Sequence, residues 1–572
     1  MKLVTRSFML FTVSARPRMS AAVRQSASCV RAGTFAGALA LAVACGGDPQ
    51  VPSAFKAAGS IATTATVAST VGAAPEVRIT DAKGRGIRNL LVRWRVTAGG
   101  GKVVNDSVRT GASGEASSGG WTLGTTSGAQ TLQATADGLP PVTFTADALP
   151  GPAARLLIVS GGAQRAVVNT VLPAALSVRA LDFFGNPVPG VPVGFSVLTG
   201  DGAIAGGSQV TNAEGVATLG AWRLGSKSGD QIVRVTSGTL QEVSFSATAD
   251  AGPVTRLTVL SSTTQEGASR APAPSFPSVR ASDDFGNPVG NVLVAFTPGA
   301  GAGTVSSDVV STDPATGVAA VTWTLGTAPQ QTLIVSSPAL PGASTTFSAS
   351  KFDSEYDIDV RFVGTGGTVR QREAFAKAVV RWRRILGADL HTTRLVAPAG
   401  DCQSWVPALD ETANDLVIYA RLAPIDGPGR ILGQAGPCYI NGTTNLTALG
   451  IMEFDLDDLP GLVANETLDA VVLHEVGHVL GIGTLWSFRR ALLVGRGSAD
   501  PYYVGDGARN NFVVNGGVYP QAGVPVENIG GAGTRDAHWR QSVFGRELMQ
   551  GFSSRGLSPL SATTSASLAD LG

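Results

Sequence analysis

Charge, aromatic rings, cysteine and histidine are all scarce in this chain. Charged residues make up 15% and aromatic ones 6% of its 572 residues, and there are only four cysteines and four histidines. With 43 basic and 42 acidic side chains the formal net charge is +1, so no electrostatic footprint for nucleic acid or an acidic membrane surface is present. The apolar run from Ala36 to Ala44 is far shorter than the roughly 20 residues a spanning helix needs. What is abundant is glycine, with 72 residues, and proline, with 32, which predicts many short strands joined by turns. The length is too great for one core and predicts about three to five domains.

The short apolar run lies behind Arg24 and Arg31 and ends in "LAVACGGD". That pattern resembles a bacterial lipoprotein signal, in which Cys45 becomes the lipidated first residue, although Ala42 stands where leucine is usual. An exported chain with a membrane anchor on Cys45 is the expectation; an ordinary secretory signal cut nearby is the alternative. Cys29 would leave with the leader, so Cys402 and Cys438 remain as a pair. In an oxidising compartment they are expected to form a disulfide contributing about 3 kcal/mol.

Three segments repeat. Those beginning at Asp81 ("DAKGRGIRN"), Asp182 ("DFFGNPVPG") and Asp283 ("DDFGNPVGN") start 101 residues apart, and "WTLG", "WRLG" and "WTLG" at Trp121, Trp222 and Trp323 keep that period. Period-2 alternation between Gly-Asn-Pro and Asn-Glu-Gly turns predicts a β-sandwich for each copy, with the recurring tryptophan in its core. The combined pattern resembles the bacterial immunoglobulin-like domains of the invasin/intimin type, from which the first copy departs. The resemblance implies a fold more than a function: such domains serve as spacers or bind a surface ligand.

Beyond Ser350 the periodicity changes. "YDIDVRFVG", "NDLVIYARL" and "GIMEFDL" read as strands, and "TVRQREAFAKAVVRWRRILG" as a helix opened by a Thr368–Gln371 capping box. "NETLDAVVLHEVGHVLG" predicts a helix capped by Asn465 and ended by Gly481. On it His474 and His478 lie four residues apart, hence on one face and able to share a zinc ion, with Glu475 beside them as candidate general base. A catalytic zinc needs a third protein ligand. A compact metzincin would have histidine where this chain has Thr484. His391, His538 and a carboxylate are the choices. The acidic cluster Glu453, Asp455, Asp457 and Asp458 fits no calcium loop and reads as a solvated strand end.

Together with the helix motif, "DAHWRQSVFGRELMQ" around His538 resembles the leishmanolysin family of metzincin-like zinc peptidases. The resemblance spans about Tyr356 to Gly572. It implies His538 as third ligand, Met549 as the methionine of the turn beneath the metal, one catalytic Zn²⁺, and a protein or peptide substrate. An edge strand at the cleft rim is also implied, and "GRILGQAGP" (Gly429 to Pro437) is its candidate. A blocking pro-segment cysteine is not expected, because no cysteine lies between Cys45 and Cys402.

The expected architecture is therefore multidomain: signal 1–45, linker 46–54, three all-β immunoglobulin-like sandwiches at 55–149, 150–250 and 251–350, and an α+β metzincin-like zinc protease domain at 351–572. The expected function is that of an exported, lipid-anchored zinc endopeptidase. The alternative is a surface adhesin whose protease domain is vestigial or latent.

Overall fold

The computed structural model describes residues 50–59, 64–390, 392–488, 491–518, 523–531, 533–552 and 558–572. The leader, Cys29, Cys45 and His391 lie outside these described residues.

The described residues up to Leu149 form a unit of their own. In it a three-stranded sheet (Ala54–Ala58, Glu76–Thr80, Glu115–Ser117) faces a five-stranded one (Thr64–Thr66, Val142–Leu149, Gly128–Ala136, Leu91–Ala98, Ser107–Arg109). The short strand Thr64–Thr66 runs parallel to Val142–Leu149, whereas the pairing of Val142–Leu149 with Gly128–Ala136 is antiparallel and sets Phe144 opposite Leu132. Both side chains are buried, as is Trp121, so the alternation seen in the sequence fills a sandwich core.

In the second unit, two more sandwiches repeat the plan with sheets of three and five strands between Ala153 and Asp250 and between Arg256 and Phe352. Phe245 opposes Val233 and Phe347 opposes Leu333, at the register of the first copy. Trp222 and Trp323 are buried in the two cores. The repeated aspartates are buried too. Asp283 accepts backbone N–H groups of Phe285 and Asn287 at 2.9 Å and of Gly252 at 2.8 Å, which closes the turn that "DDFGNP" encodes. In the divergent first copy, Arg85 takes the place of the asparagine, with its Nε 2.7 Å from Asp81.

The last part of the chain is α+β. Its sheet is built from β1 (Ile358–Val363), β2 (Leu416–Ala423), β3 (Gly433–Ile440) and β4 (Thr447–Asp455) in the order β1-β2-β4-β3. The first three of that order are parallel, and β3 is the antiparallel edge. Helices α1 (Val369–Arg383), α2 (Leu459–Ala464), α3 (Leu468–Leu480), α4 (Asp506–Val514) and α5 (Ala562–Leu571) complete the elements used below. The Thr368–Gln371 capping box opens α1.

Two expectations are corrected. Asn465 does not cap the histidine helix; it ends α2, and α3 begins after Thr467, whose side chain makes no cap bond. Nor is the acidic cluster solvated throughout: Asp457 is exposed and Glu453 and Asp458 are half-buried, but Asp455 is not open to water. Asp455 is fully buried and accepts N–H groups of Asp426 at 2.9 Å, Gly427 at 3.0 Å and Asp457 at 3.0 Å, so it ties the end of β4 to a neighbouring loop.

Candidate metal centre

Helix α3 is held on three sides. Val472, Val476 and Val479 are buried on its inner face. Sheet contact is close enough that a Cβ on Gly450 would lie 2.3 Å from Val479 Cγ1. Thr447 Oγ1 donates to Val479 O at 2.6 Å, and Trp382 Nε1 of α1 donates to Leu473 O at 2.9 Å. Near its N-terminus, Asp469 receives Arg370 at 2.5 Å and Lys377 at 2.9 Å from α1. Gly481 ends the helix at φ 116°, a left-handed conformation that favours glycine.

His474 and His478 project from this helix, and His538 meets them from a loop 60 residues beyond His478. The three Nε2 atoms are 3.0, 3.0 and 3.2 Å apart. Each Nδ1 is already committed to a backbone carbonyl: His474 to Leu548 at 2.6 Å, His478 to Ile482 at 2.8 Å and His538 to Thr534 at 2.9 Å. A carbonyl can only accept, so every ring carries its proton on Nδ1 and turns an Nε2 lone pair inward. Burial lowers the pKa of all three, that of His538 to about 3, which keeps the rings neutral. Three converging lone pairs with no proton between them suit a cation. Ligand nitrogens at 2.0–2.1 Å from a tetrahedral zinc would be about 3.3 Å apart, close to the spacing here.

Glu475 is buried, and its carboxyl is pushed up to about 8 by burial alone. Below the centre lies Met549, fully buried; a Cβ on Gly477 would come within 2.7 Å of its sulfur. Leu548 and Met549 are fixed by Glu547, whose buried carboxylate accepts Met549 N–H, Ser561 N–H at 3.1 Å, Ser561 Oγ at 2.9 Å and Thr564 Oγ1.

Residues 408–572 match the leishmanolysin family of peptidases. The C-terminal region is thus a metallopeptidase domain at the family level, and its histidine cluster is the chain's candidate site for the zinc that the family uses. No curated protein matches the chain. Among solved structures, the Escherichia coli adhesin FdeC is similar at 14% identity over 53% of this chain and 98% of that one, TM-score 0.34. Yersinia pseudotuberculosis InvD is similar at 18% identity over 51% and 96%, TM-score 0.33.

Several site features of the leishmanolysin-like domain have no sequence signal. Thr484 Oγ1 donates to His478 O at 2.7 Å, so the residue at the compact metzincin's third-ligand position secures the end of α3 instead. Trp382 is 92 residues before His474 and reaches the helix only through tertiary packing. The edge strand is β3, Gly433–Ile440, beginning four residues later than the segment expected at the rim. Gly436 lies beside Thr484, a Cβ there being 3.9 Å from Thr484 Cγ2, so β3 borders the turn that follows α3. Cys438 on β3 is joined to Cys402, with Cα atoms 5.6 Å apart.

Proposed function

We propose that the chain is an exported zinc endopeptidase, held at a bacterial membrane by a lipid on Cys45, with its immunoglobulin-like domains as spacers that can also offer a surface to a ligand. The supporting observation is the set of three neutral imidazoles, each with Nδ1 occupied and Nε2 turned inward. His474, His478 and His538 would hold one Zn²⁺. When bound, the metal supplies Lewis-acid polarisation of a peptide carbonyl and lowers the pKa of a water toward about 7.

The protein's own groups do the rest. Glu475 takes the proton of the attacking water on its carboxylate and delivers it to the departing amine. Its apolar burial raises its proton affinity, which suits the second half of that task, and the charge of a neighbouring cation favours the ionised form for the first. An extended peptide can add to β3, the edge strand of the sheet, through main-chain hydrogen bonds, a mode that reads the backbone rather than a particular side chain.

The test uses the full chain with an unfolded protein substrate, beside Glu475→Ala, with zinc content measured on both. Cleavage by the parent, a loss of roughly 10²–10⁴-fold in the variant and about one zinc in each are the expected results. Removing the metal with a chelator abolishes cleavage, and adding zinc restores it. A parent that holds zinc and cuts nothing favours the adhesin reading, and a parent without zinc sinks the ligand assignment.

A further inference from the structure

One buried carboxylate near the centre belongs to none of the groups above. Glu527 is 2% exposed and lies eleven residues before His538. Its main chain brackets that histidine: Glu527 N–H donates to His538 O at 2.8 Å, and Glu527 O accepts Asp536 N–H at 3.0 Å. Its side chain closes the loop from both ends. One carboxylate oxygen accepts Asn528 N–H at 3.0 Å and Ile529 N–H at 3.2 Å, and the other accepts Gln541 N–H at 3.0 Å. Asn528 and Ile529 on one side and Gln541 on the other are thus drawn to one side chain, and His538 lies between them along the chain.

Neighbouring contacts show why the loop needs such a tie. Its described residues hold little regular structure: an isolated bridge pairs Val526 with Trp539, and Asp536 adopts φ 66°. The loop presses so closely on the turn after α3 that a Cβ on Gly483 would be 1.9 Å from Ala537 O. His474 and His478 are fixed by a helix, which holds side chains at a set spacing; His538 has no such support. Three backbone N–H groups directed at one buried carboxylate supply a substitute, because charge-assisted bonds are roughly twice as strong as neutral ones.

We propose that Glu527 is the positioning residue for the third histidine: it sets the conformation of the 527–541 loop so that His538 Nε2 meets the other two. This inference rests on the zinc-site reading above. It gives Glu527 no part in proton transfer.

The test measures zinc affinity of the full chain by chelator competition, and the visible spectrum of its cobalt(II) form, for the parent, Glu527→Ala, Glu527→Gln and His538→Ala. Glutamine keeps one carbonyl acceptor but turns an N–H donor toward another N–H. Both Glu527 variants are expected to keep the parent's circular dichroism and to bind zinc about 10–100-fold more weakly. Their cobalt spectra should shift toward that of His538→Ala, which general destabilisation far from the metal would not produce. Should the alanine variant fail to fold, the glutamine variant decides. A folded Glu527 variant with the parent's zinc affinity and cobalt spectrum overturns the proposal while leaving the zinc-site reading intact, provided His538→Ala loses metal. A parent that binds no zinc overturns both.

Discussion

Protonation of the three histidines is linked to folding. Burial depresses all three ring pKa values, to about 3 for His538, whereas an unfolded histidine titrates near 6.5. Between those values the unfolded chain binds more protons than the folded one, so stability rises with pH. That contribution is fully present above about pH 6.5 and is lost as pH falls toward about 3 for His538. Glu475 has the opposite sign: its pKa is raised to about 8, so its contribution is present at low pH and is lost as pH rises through about 8. Metal-free protein should therefore show a falling denaturation midpoint on acidification below pH 6.5, and His538→Ala should flatten that fall. A slope unchanged by the substitution would exclude His538 as a source. At the same scale, Gly483→Ala meets a backbone oxygen at 1.9 Å and a left-handed φ of 76°. A loss of about 3 kcal/mol is expected in urea unfolding.

Among the elements, the closing helix α5 matters most to the site after α3. Its N-cap Ser561 and its Thr564 both bind Glu547, and Thr564 Oγ1 also accepts Trp539 Nε1 at 2.7 Å. The residue after His538 and the methionine turn are thus tied to one hydroxyl. Thr564→Val keeps the shape and removes that hydroxyl, leaving the buried indole N–H unpaired. It should cost about 1–3 kcal/mol, read as a lower denaturation midpoint of the full chain, with Thr564→Ser recovering most of it. Strand β3 is fastened in another way. Cys438 is linked to Cys402 across 36 residues, and Tyr439 OH donates to Asp401 beside it. Opening that disulfide should release the edge strand from the 398–406 loop and lower stability by about 3–4 kcal/mol on the chain-entropy account.

At the scale of whole domains, the third sandwich and the leishmanolysin-like domain share a core. Ala268 and Ala271 of the sandwich pack into the cluster that contains Trp382, Val472 and Met549. Arg383, 3% exposed at the end of α1, donates to Ser269 O at 3.0 Å and pairs with Asp357 at 2.7 Å. Glu373 Oε1 accepts Phe276 N–H at 2.7 Å, and Arg384 pairs with Glu266 at 2.8 Å. The second and third sandwiches are also joined: Asn287 binds Ser226 O at 2.7 Å and Ser228 N–H at 2.8 Å. A sandwich that grips α1 in this way also steadies α3 through Trp382. Arg383→Ala should cost about 1–3 kcal/mol by taking the guanidinium from half-buried Asp357 and Ser269 O. Calorimetry should then show the third sandwich and the leishmanolysin-like domain melting separately where the parent melts them together. A single unshifted transition would refute the shared core.

Local chemistry made much of this legible in the sequence. The 101-residue repeat follows from turns and alternation that recur with the same residues, so three sandwiches could be read without coordinates. Helical spacing alone brings His474 and His478 to one face, and a glycine requirement at a left-handed φ marks the end of α3 at Gly481. His538 entered only through resemblance, because no local rule links residues 60 apart. The sequence could not show that Asp455 is buried, that Asn465 closes a different helix, or that Thr484 secures the His478 carbonyl. Those outcomes depend on which groups need hydrogen-bond partners once water is excluded. The sequence by itself determined the periodicities and the kinds of donor available; only the tertiary structure decided which donors meet. Periodicity is a property of neighbouring residues, whereas a three-histidine centre joins a helix to a distant loop that has to be folded and tied before its imidazole can point inward.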